Sequence, residues 1–443
     1  MNFEYRESPY RNLVVGVNTE VPINNGTFVP YVNFDNAATT PPLFSVISAI
    51  NKFSPWYSSI HRGQGYKSQL SSNIYENSRE TVLKFVKADP YFNTVIYVKN
   101  TTEGINKLSF RLCSNEGKCI ILSSDMEHHS NDLPWRGKYH VDYIELDKNG
   151  RLSIKSLEEK LIKYNGCVKL VTVSGASNVT GYINPIHDIA RIAHKYNSKL
   201  LVDGAQLVPH VPVDMKPINS EEHIDFLVFS GHKMYAPFGT GVLIGPKESF
   251  RGGDPDYKGG GTVEIVTHEY IIWNEPPDKE EAGTPNVMGV VALESAIKTL
   301  NTIGMHNVDS YERSLASYAA TKLMTIDGIE LYGDCKNFSS RVSIIPFNVI
   351  GMHHSTVAKI LSQEAGIAVR TGCFCAQPYA QKLLDISDEQ VAYYSKLPKE
   401  TRPGMVRLSF GMYNNKSEID YLISIIKYMI KNKDSLNNKY MYA

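Results

Sequence analysis

Two apolar runs in this chain end in groups that do chemistry. Phe226-Leu227-Val228-Phe229 is followed by Ser230-Gly231-His232-Lys233, and Lys199-Leu200-Leu201-Val202 ends in Asp203-Gly204-Ala205-Gln206. Short apolar runs bounded by small and polar residues read as buried strands. One strand then delivers a carboxylate and the other a lysine at its C-terminal end. That pair suits pyridoxal 5'-phosphate (PLP). The lysine can hold the aldehyde as a Schiff base, and the carboxylate can keep the pyridine nitrogen protonated so that the ring acts as an electron sink. A surface lysine after a strand is the bland alternative; the company of Gln206, Ser230 and His232 favours the cofactor.

Other segments supply what such a site needs. Asn100-Thr101-Thr102-Glu103-Gly104 opens a helix after a strand-like run, and unpaired N–H groups there, with Thr101, Thr102, Ser230 and His232, would cradle a phosphate. An ordinary threonine N-cap is the alternative. In Glu127-His128-His129-Ser130, His128 could stack on the ring and handle protons. Adjacent histidines seldom aim at one ion and no third ligand stands at a characteristic spacing, so no metal is expected. Asn178, in Ser177-Asn178-Val179-Thr180-Gly181, could donate to the ring hydroxyl, as could Gln206; turn chemistry competes. Val369-Arg370-Thr371-Gly372-Cys373-Phe374-Cys375 reads as a metal clip, a redox pair, a nucleophile activated by nearby positive charge, or two inert sulfurs. Arg407, inside the apolar run Val406–Phe410, must be paired if buried: a clasp on an α-carboxylate and an internal salt bridge both qualify.

The elements that must hold these groups alternate along the chain. Strand-like runs at 95–98, 119–122, 168–173, 200–202, 226–229 and 241–244 are separated by amphipathic segments such as 186–194, where Ile186, Ile189, Ala190 and Ala193 share one face. This predicts an α/β domain with a mostly parallel sheet and ligands beyond the strand C-termini. The Gly/Pro-rich stretch 251–284 reads as a long functional loop, and 287–300 as a connecting helix. Helices at 308–325, 355–365 and 417–431, with strands at 341–349 and 405–410, predict a smaller α+β unit. The first 30 residues show little periodicity and are expected to drape across both units.

At 443 residues the chain exceeds a single core. Lys+Arg and Asp+Glu both total 46, which gives no electrostatic footprint for nucleic acid or an anionic membrane. No secretory layout or membrane-spanning apolar stretch is visible. Six cysteines are too sparse for a disulfide framework. Cys113, Cys119, Cys167 and Cys335 are expected to be buried as small hydrophobes, in a cytosolic setting.

The ordered motifs Thr-Thr-Glu-Gly, Glu-His-His, Ser-Asn-x-x-Gly, Asp-Gly-Ala-Gln, Ser-Gly-His-Lys, Ala-Gly-Thr-Pro-Asn, Arg-Thr-Gly-x-x-Cys-Ala-Gln-Pro and Arg-x-Ser resemble class V PLP enzymes. They are most similar to the group II cysteine desulfurase/selenocysteine lyase branch, from Phe34-Asp35-Asn36-Ala37-Ala38 to Tyr413-Asn414. The resemblance implies the fold type I architecture of PLP-dependent transferases. Residues 31–295 would form a large domain with a seven-stranded, mostly parallel sheet, and 1–30 with 296–443 the small α+β domain. It implies Lys233 as the cofactor-bearing lysine, Asp203 on the pyridine nitrogen, and Gln206 and Asn178 on the ring hydroxyl. His128 would lie on the ring, with Thr101, Thr102, Ser230 and His232 on the phosphate. Thr284 would reach the phosphate of the neighbouring subunit of a homodimer. Arg407, Arg370 and His61 would meet the substrate, and Cys375 would be the nucleophile.

The implied reaction converts L-cysteine to L-alanine through a persulfide on Cys375, passed to an acceptor that is often a small protein. Selenocysteine is a second implied substrate. The scaffold also hosts aminotransferases, epimerases, C–S lyases and, as a further alternative, non-catalytic PLP-binding modules. Two departures stand out. Cys373-Phe374 replaces the two histidines usual before the nucleophile, which is also similar to molybdenum-cofactor sulfurases and leaves Cys373 as a rival. The connection from Cys375 to Arg407 carries the polar insertion Asp385-Ile386-Ser387-Asp388-Glu389.

Overall fold

The structure, a computed structural model, describes residues 8–113, 120–398 and 401–441. Seven strands form its main sheet: β1 (Asn93–Val98), β2 (Ile120–Ser124), β3 (His140–Ile144), β4 (Val168–Ser174), β5 (Lys199–Asp203), β6 (Phe226–Ser230) and β7 (Gly241–Pro246). Their order is β1-β7-β6-β5-β4-β2-β3. Only β7 runs against its neighbours.

Burial on both faces explains the apolar runs. Alternate residues of one strand serve two different cores: Leu200 and Val202 pack on one side and Leu201 on the other, and Leu227 and Phe229 oppose Phe226 and Val228. Helix α1 (Thr101–Leu112) covers one face through Ile105 and Leu108, and α2 (Ile186–Lys195) the other through Ile189, Ala190 and Ala193. Strand β3 was not anticipated from sequence. It is an edge strand with pattern exposed-intermediate-intermediate-intermediate-buried, so His140 and Asp142 interrupt the apolar signal. The expected strand at 119–122 is β2 from Ile120 onward; Cys119 lies outside the described residues.

Helix α3 (Val287–Ile303) leads into α4 (Met305–Met324). Beyond it stands an antiparallel four-stranded sheet of β8 (Ile329–Leu331), β9 (Ile344–Val349), β10 (Arg370–Gly372) and β11 (Met405–Ser409), ordered β8-β9-β11-β10. Helices α5 (His354–Ala365) and α6 (Lys416–Lys431) join a second apolar core with it, around Leu315, Phe347, Ile360, Leu408 and Ile426. We propose the α3–α4 passage as the seam between the two units. The N-terminal segment touches both. Val15 N–H donates to Pro42 O, while Arg11 forms a buried ion pair with Glu418 at 2.8 Å.

Two expectations need correction. The stretch 251–284 is not only loop: Val263–Val266 and Ile271–Trp273 pair as an antiparallel hairpin, largely exposed at Val266, Tyr270 and Ile271. Cys113 and Cys167 are exposed while Cys335 is buried. Cys113 ends α1 and Cys167 sits in the turn before β4, so both fall in surface connections outside any core face.

Candidate active site

Each candidate side chain is delivered by the end of an element. β5 stops at Asp203, and its parallel neighbour β6 stops at Ser230, where a single 3-10 turn, Gly231–Lys233, carries the lysine onward. Helix α1 begins at Thr101 because Asn100 caps it, its side chain accepting from the Glu103 N–H at 3.0 Å. The threonines are therefore not the caps. Thr101 Oγ1 lies 2.7 Å from Ser230 Oγ, which also accepts the Thr101 N–H at 2.8 Å. Thr102 Oγ1 lies 2.7 Å from Ser130 Oγ. Hydroxyls and the positive end of the helix dipole thus share one spot. Gly241 lets β7 pass here, since a Cβ would stand 2.6 Å from Asn100 Cα.

The loop after β2 is held from below by Glu127. Its carboxylate is buried and receives Ser124 Oγ–H, Ser174 N–H at 2.9 Å, Ser174 Oγ–H at 2.6 Å and Asn131 Nδ2–H at 2.7 Å. Burial nevertheless pushes its carboxyl up to about 7. Above it, the Ser130 N–H donates to His128 Nδ1 at 3.1 Å, which leaves the ring proton on Nε2. Burial and then the charge of Lys233 hold His128 down to about 3, and the same two causes hold His232 down to about 4. Both imidazoles are neutral near pH 7.

These groups line one cavity of about 240 Å³. It brings together Thr101, Thr102, His128, Asn178, Asp203, Gln206, Ser230, His232, Lys233, Arg370, Cys375 and Arg407. Burial lowers the Lys233 ammonium to about 8; Asp203 and Cys375 oppose the shift and Arg407 adds to it. Asp203 is fully buried and its carboxyl is raised by burial, against one backbone hydrogen bond from Ala205 at 3.0 Å and the charge of Lys233.

Arg407 rises from β11 into the cavity. Nη1 donates to Asn178 O at 2.8 Å, Nη2 to Asp35 Oδ1 at 3.1 Å, and the guanidinium stands over the Phe374 ring at 5.0 Å. Burial lowers its pKa to about 10, with Asp35 resisting. Asp35 also meets Arg370 at 3.8 Å, and burial raises its carboxyl against both arginines. The internal salt bridge and the open face toward the cavity therefore coexist. The only sequence signal for Asp35 is its place in the Phe34–Ala38 motif, 372 residues from its partner.

The cysteine loop is strained. Phe374 and Cys375 both take left-handed backbone conformations (φ 52° and 56°), at a cost of order 1–3 kcal/mol each for non-glycine residues. Two hydrogen bonds hold them there, and a third ties the next turn to His129. Asn178 Nδ2–H donates to Phe374 O at 2.7 Å, His129 N–H to Cys375 O at 2.7 Å, and Gln377 N–H to His129 Nε2 at 3.2 Å. As a result Cys375 is exposed at the cavity. Cys373 is half-buried, with Sγ 3.8 Å from Pro403 O, and burial followed by the proximity of Cys375 pushes its thiol up.

Two predicted residues stay outside this cavity. Thr284 is exposed and lines a separate cleft with Tyr97, Lys107 and Glu280. His61, at φ 69°, lies 3.3 Å from Glu76 in an exposed cluster that includes Asp278. Thr284 is expected at the phosphate of a neighbouring subunit, and neither it nor His61 lines the cavity of its own chain.

The donor set fits PLP. Asp203 is a buried carboxylate short of cationic compensation. Gln206 Oε1 and Arg407 Nε are buried without a hydrogen-bond partner, an arrangement that costs stability unless a ligand answers it. The Gln206 amide N–H donates to Ala37 O at 2.6 Å, so the free atom is an acceptor, suited to a ring hydroxyl. Asn178 spends one amide N–H on Phe374 O.

The sequence signature described as Aminotransferase class-V matches residues 32–422. A protein of Halalkalibacterium halodurans described as "Probable cysteine desulfurase" is 35% identical over 402 residues, 89% of this chain and 91% of that protein. A cysteine desulfurase of Haloferax volcanii is 34% identical over 406 residues, covering 90% and 89% respectively. Among solved structures, the apo cysteine desulfurase of Thermococcus onnurineus NA1 superposes with a TM-score of 0.80 at 30% identity, over 94% of this chain and 98% of that one.

Proposed function

Because the chain belongs to the aminotransferase class-V family, a PLP-dependent enzyme family, we propose that it is a cysteine desulfurase. It would move the sulfur of L-cysteine onto Cys375 and release L-alanine. The observation that carries the reading is an exposed thiol, on a loop strained toward the cavity, opposite a depressed lysine and a buried arginine.

Bound PLP supplies an electron sink that makes the α-carbon of an amino acid acidic. Lys233 and Asp203 would hold the group, Thr101, Thr102, Ser230 and His232 would take its phosphate, and His128 would meet its ring. Arg407, with Arg370 at the cavity mouth, orients the substrate carboxylate. A lysine with its pKa near 8 has an appreciable neutral fraction at physiological pH, so it can take the α-proton. The Cys375 thiolate attacks the substrate sulfur. The new S–S bond forms as the Cβ–S bond breaks, and the carbon skeleton is completed as alanine by a proton. The persulfide then passes to an acceptor thiol, for which a small protein is the natural carrier. Cys373 is the weaker nucleophile because its thiol is half-buried and held protonated.

PLP-loaded protein treated with L-cysteine is expected to carry one extra sulfur on Cys375 by peptide mass spectrometry. Cys375→Ala should lower alanine formation by roughly 100-fold or more, the usual scale for losing a covalent nucleophile. Cys373→Ala should keep activity within about threefold, since it removes a group outside the reacting set. Unchanged sulfur release in Cys375→Ala, or a persulfide on Cys373, overturns the assignment.

A further inference from the structure

At the opposite end of the same strands lies a second cluster. His194, in the last turn of α2, and His223, in the loop before β6, both aim Nε2 at the carboxylate of Asp225. His194 Nε2 is 2.9 Å from Oδ2 and His223 Nε2 is 3.5 Å from Oδ1. The other ring nitrogens face backbone carbonyls: His194 Nδ1 lies 2.7 Å from Glu221 O, and His223 Nδ1 lies 2.6 Å from Ser220 O. All three side chains are largely shielded, at 18%, 15% and 7% exposure.

A carbonyl oxygen only accepts, so each Nδ1 must carry a proton. A neutral ring then presents a bare lone pair on Nε2 to a carboxylate oxygen. Satisfying both contacts with protons requires two imidazolium rings, stacked with centroids 4.1 Å apart and planes 19° apart, sharing one carboxylate. Like charges at that separation repel. A cation in place of the two Nε2 protons removes the conflict, and a ring N–H donated to a backbone carbonyl is the usual outer support of a metal-bound histidine.

We propose that His194, His223 and Asp225 form a binding site for a divalent transition-metal ion of the Zn²⁺ class. The donor atoms lie within 4.8 Å of one another; closing to a tetrahedral edge of about 3.4 Å requires movement of roughly an ångström and rotation of one ring out of the stack, so that both in-plane lone pairs meet the ion. Two imidazoles and a carboxylate select Zn²⁺, Co²⁺ or Ni²⁺ over Mg²⁺ or Ca²⁺. Asp225 Oδ2 also accepts the Leu200 N–H at 2.8 Å, so the ion braces α2 against the starts of β5 and β6. The five residues of β6 put it about 17 Å from the catalytic end. The role is structural, fastening the two strands that deliver Asp203 and Lys233.

The test uses full-length, PLP-loaded protein, stripped by chelator and alkylated so that no thiol can bind metal. Titration with Zn²⁺ by calorimetry is expected to show one site with a dissociation constant of roughly 10 µM or tighter, and saturating Zn²⁺ to raise the melting temperature by a few degrees. Co²⁺ should give visible bands of nitrogen and oxygen ligation. His223→Gln should weaken binding at least about tenfold, as loss of one of three ligands would, whereas Glu76→Gln, in the exposed cluster with His61, should leave it unchanged. The Co²⁺ spectrum of the unmutated protein reads the site even if the variant folds poorly. No binding by the alkylated protein, or binding that survives His223→Gln at full strength, overturns the proposal, and loss in Glu76→Gln instead would place the ion at the exposed cluster.

Discussion

Lys233 shows how environment turns an ordinary side chain into a reagent. The same amine at the surface would titrate near 10.4; here burial outweighs the attraction of Asp203 and lowers it to about 8. Only the neutral amine attacks an aldehyde, so capture of pyridoxal phosphate by the cofactor-free protein should accelerate as pH rises and level off above about 8. Rapid-mixing absorbance across that range reads the midpoint directly. A midpoint near the surface-lysine value would show that Lys233 is not the capturing group. Arg407 follows the same logic: of its three nitrogens, Nη1 donates to Asn178 O and Nη2 to Asp35, and Nε has no hydrogen-bond partner.

Among the elements, the loop after β2 depends on one carboxylate. Four donors converge on Glu127, yet burial raises its pKa from the usual 4.5 to about 7. The folded state therefore binds this proton more tightly than the unfolded chain does. The stability it contributes is present below about 4.5 and is lost as pH rises through 7. The loss amounts to about 3 kcal/mol over the window. Denaturant melts at several pH values should show this decline in the unmodified protein and a flatter profile in Glu127→Gln. Parallel profiles would mean that Glu127 stays ionised throughout. Because His128 and His129 follow Glu127 directly, loosening this loop should also free the Cys375 carbonyl from the His129 N–H.

For the molecule as a whole, Thr284 is, with His61, a residue that stands apart from the cavity of its own chain. It is exposed, on a cleft separate from the cavity, and a role at the phosphate requires a second copy. We expect a homodimer of about 99 kDa by light scattering, twice the 49.7 kDa chain. Thr284→Ala should weaken PLP binding by about tenfold, the scale of one hydrogen bond to a charged group. A monomer that binds PLP at full affinity would refute this. Among the described residues no helix is long and apolar enough to cross a membrane.

What was legible in the chain itself were groups placed by local rules. Lys233, Asp203 and the threonines of α1 follow strand ends, and a buried strand announces itself through a short apolar run that stops abruptly. The alternation of strands and helices was readable for the same reason, apart from the half-exposed edge strand β3. Relations between distant segments were decided by tertiary structure. The pairing of Arg407 with Asp35 spans 372 residues, and that of His194 with Asp225 spans 31; sequence periodicity carries no information about either. The unequal exposure of Cys373 and Cys375 is of this kind too. Thiols one residue apart carry the same local chemistry, and the left-handed turn, held by Asn178 and His129 from other elements, exposes one at the cavity and leaves the other half-buried.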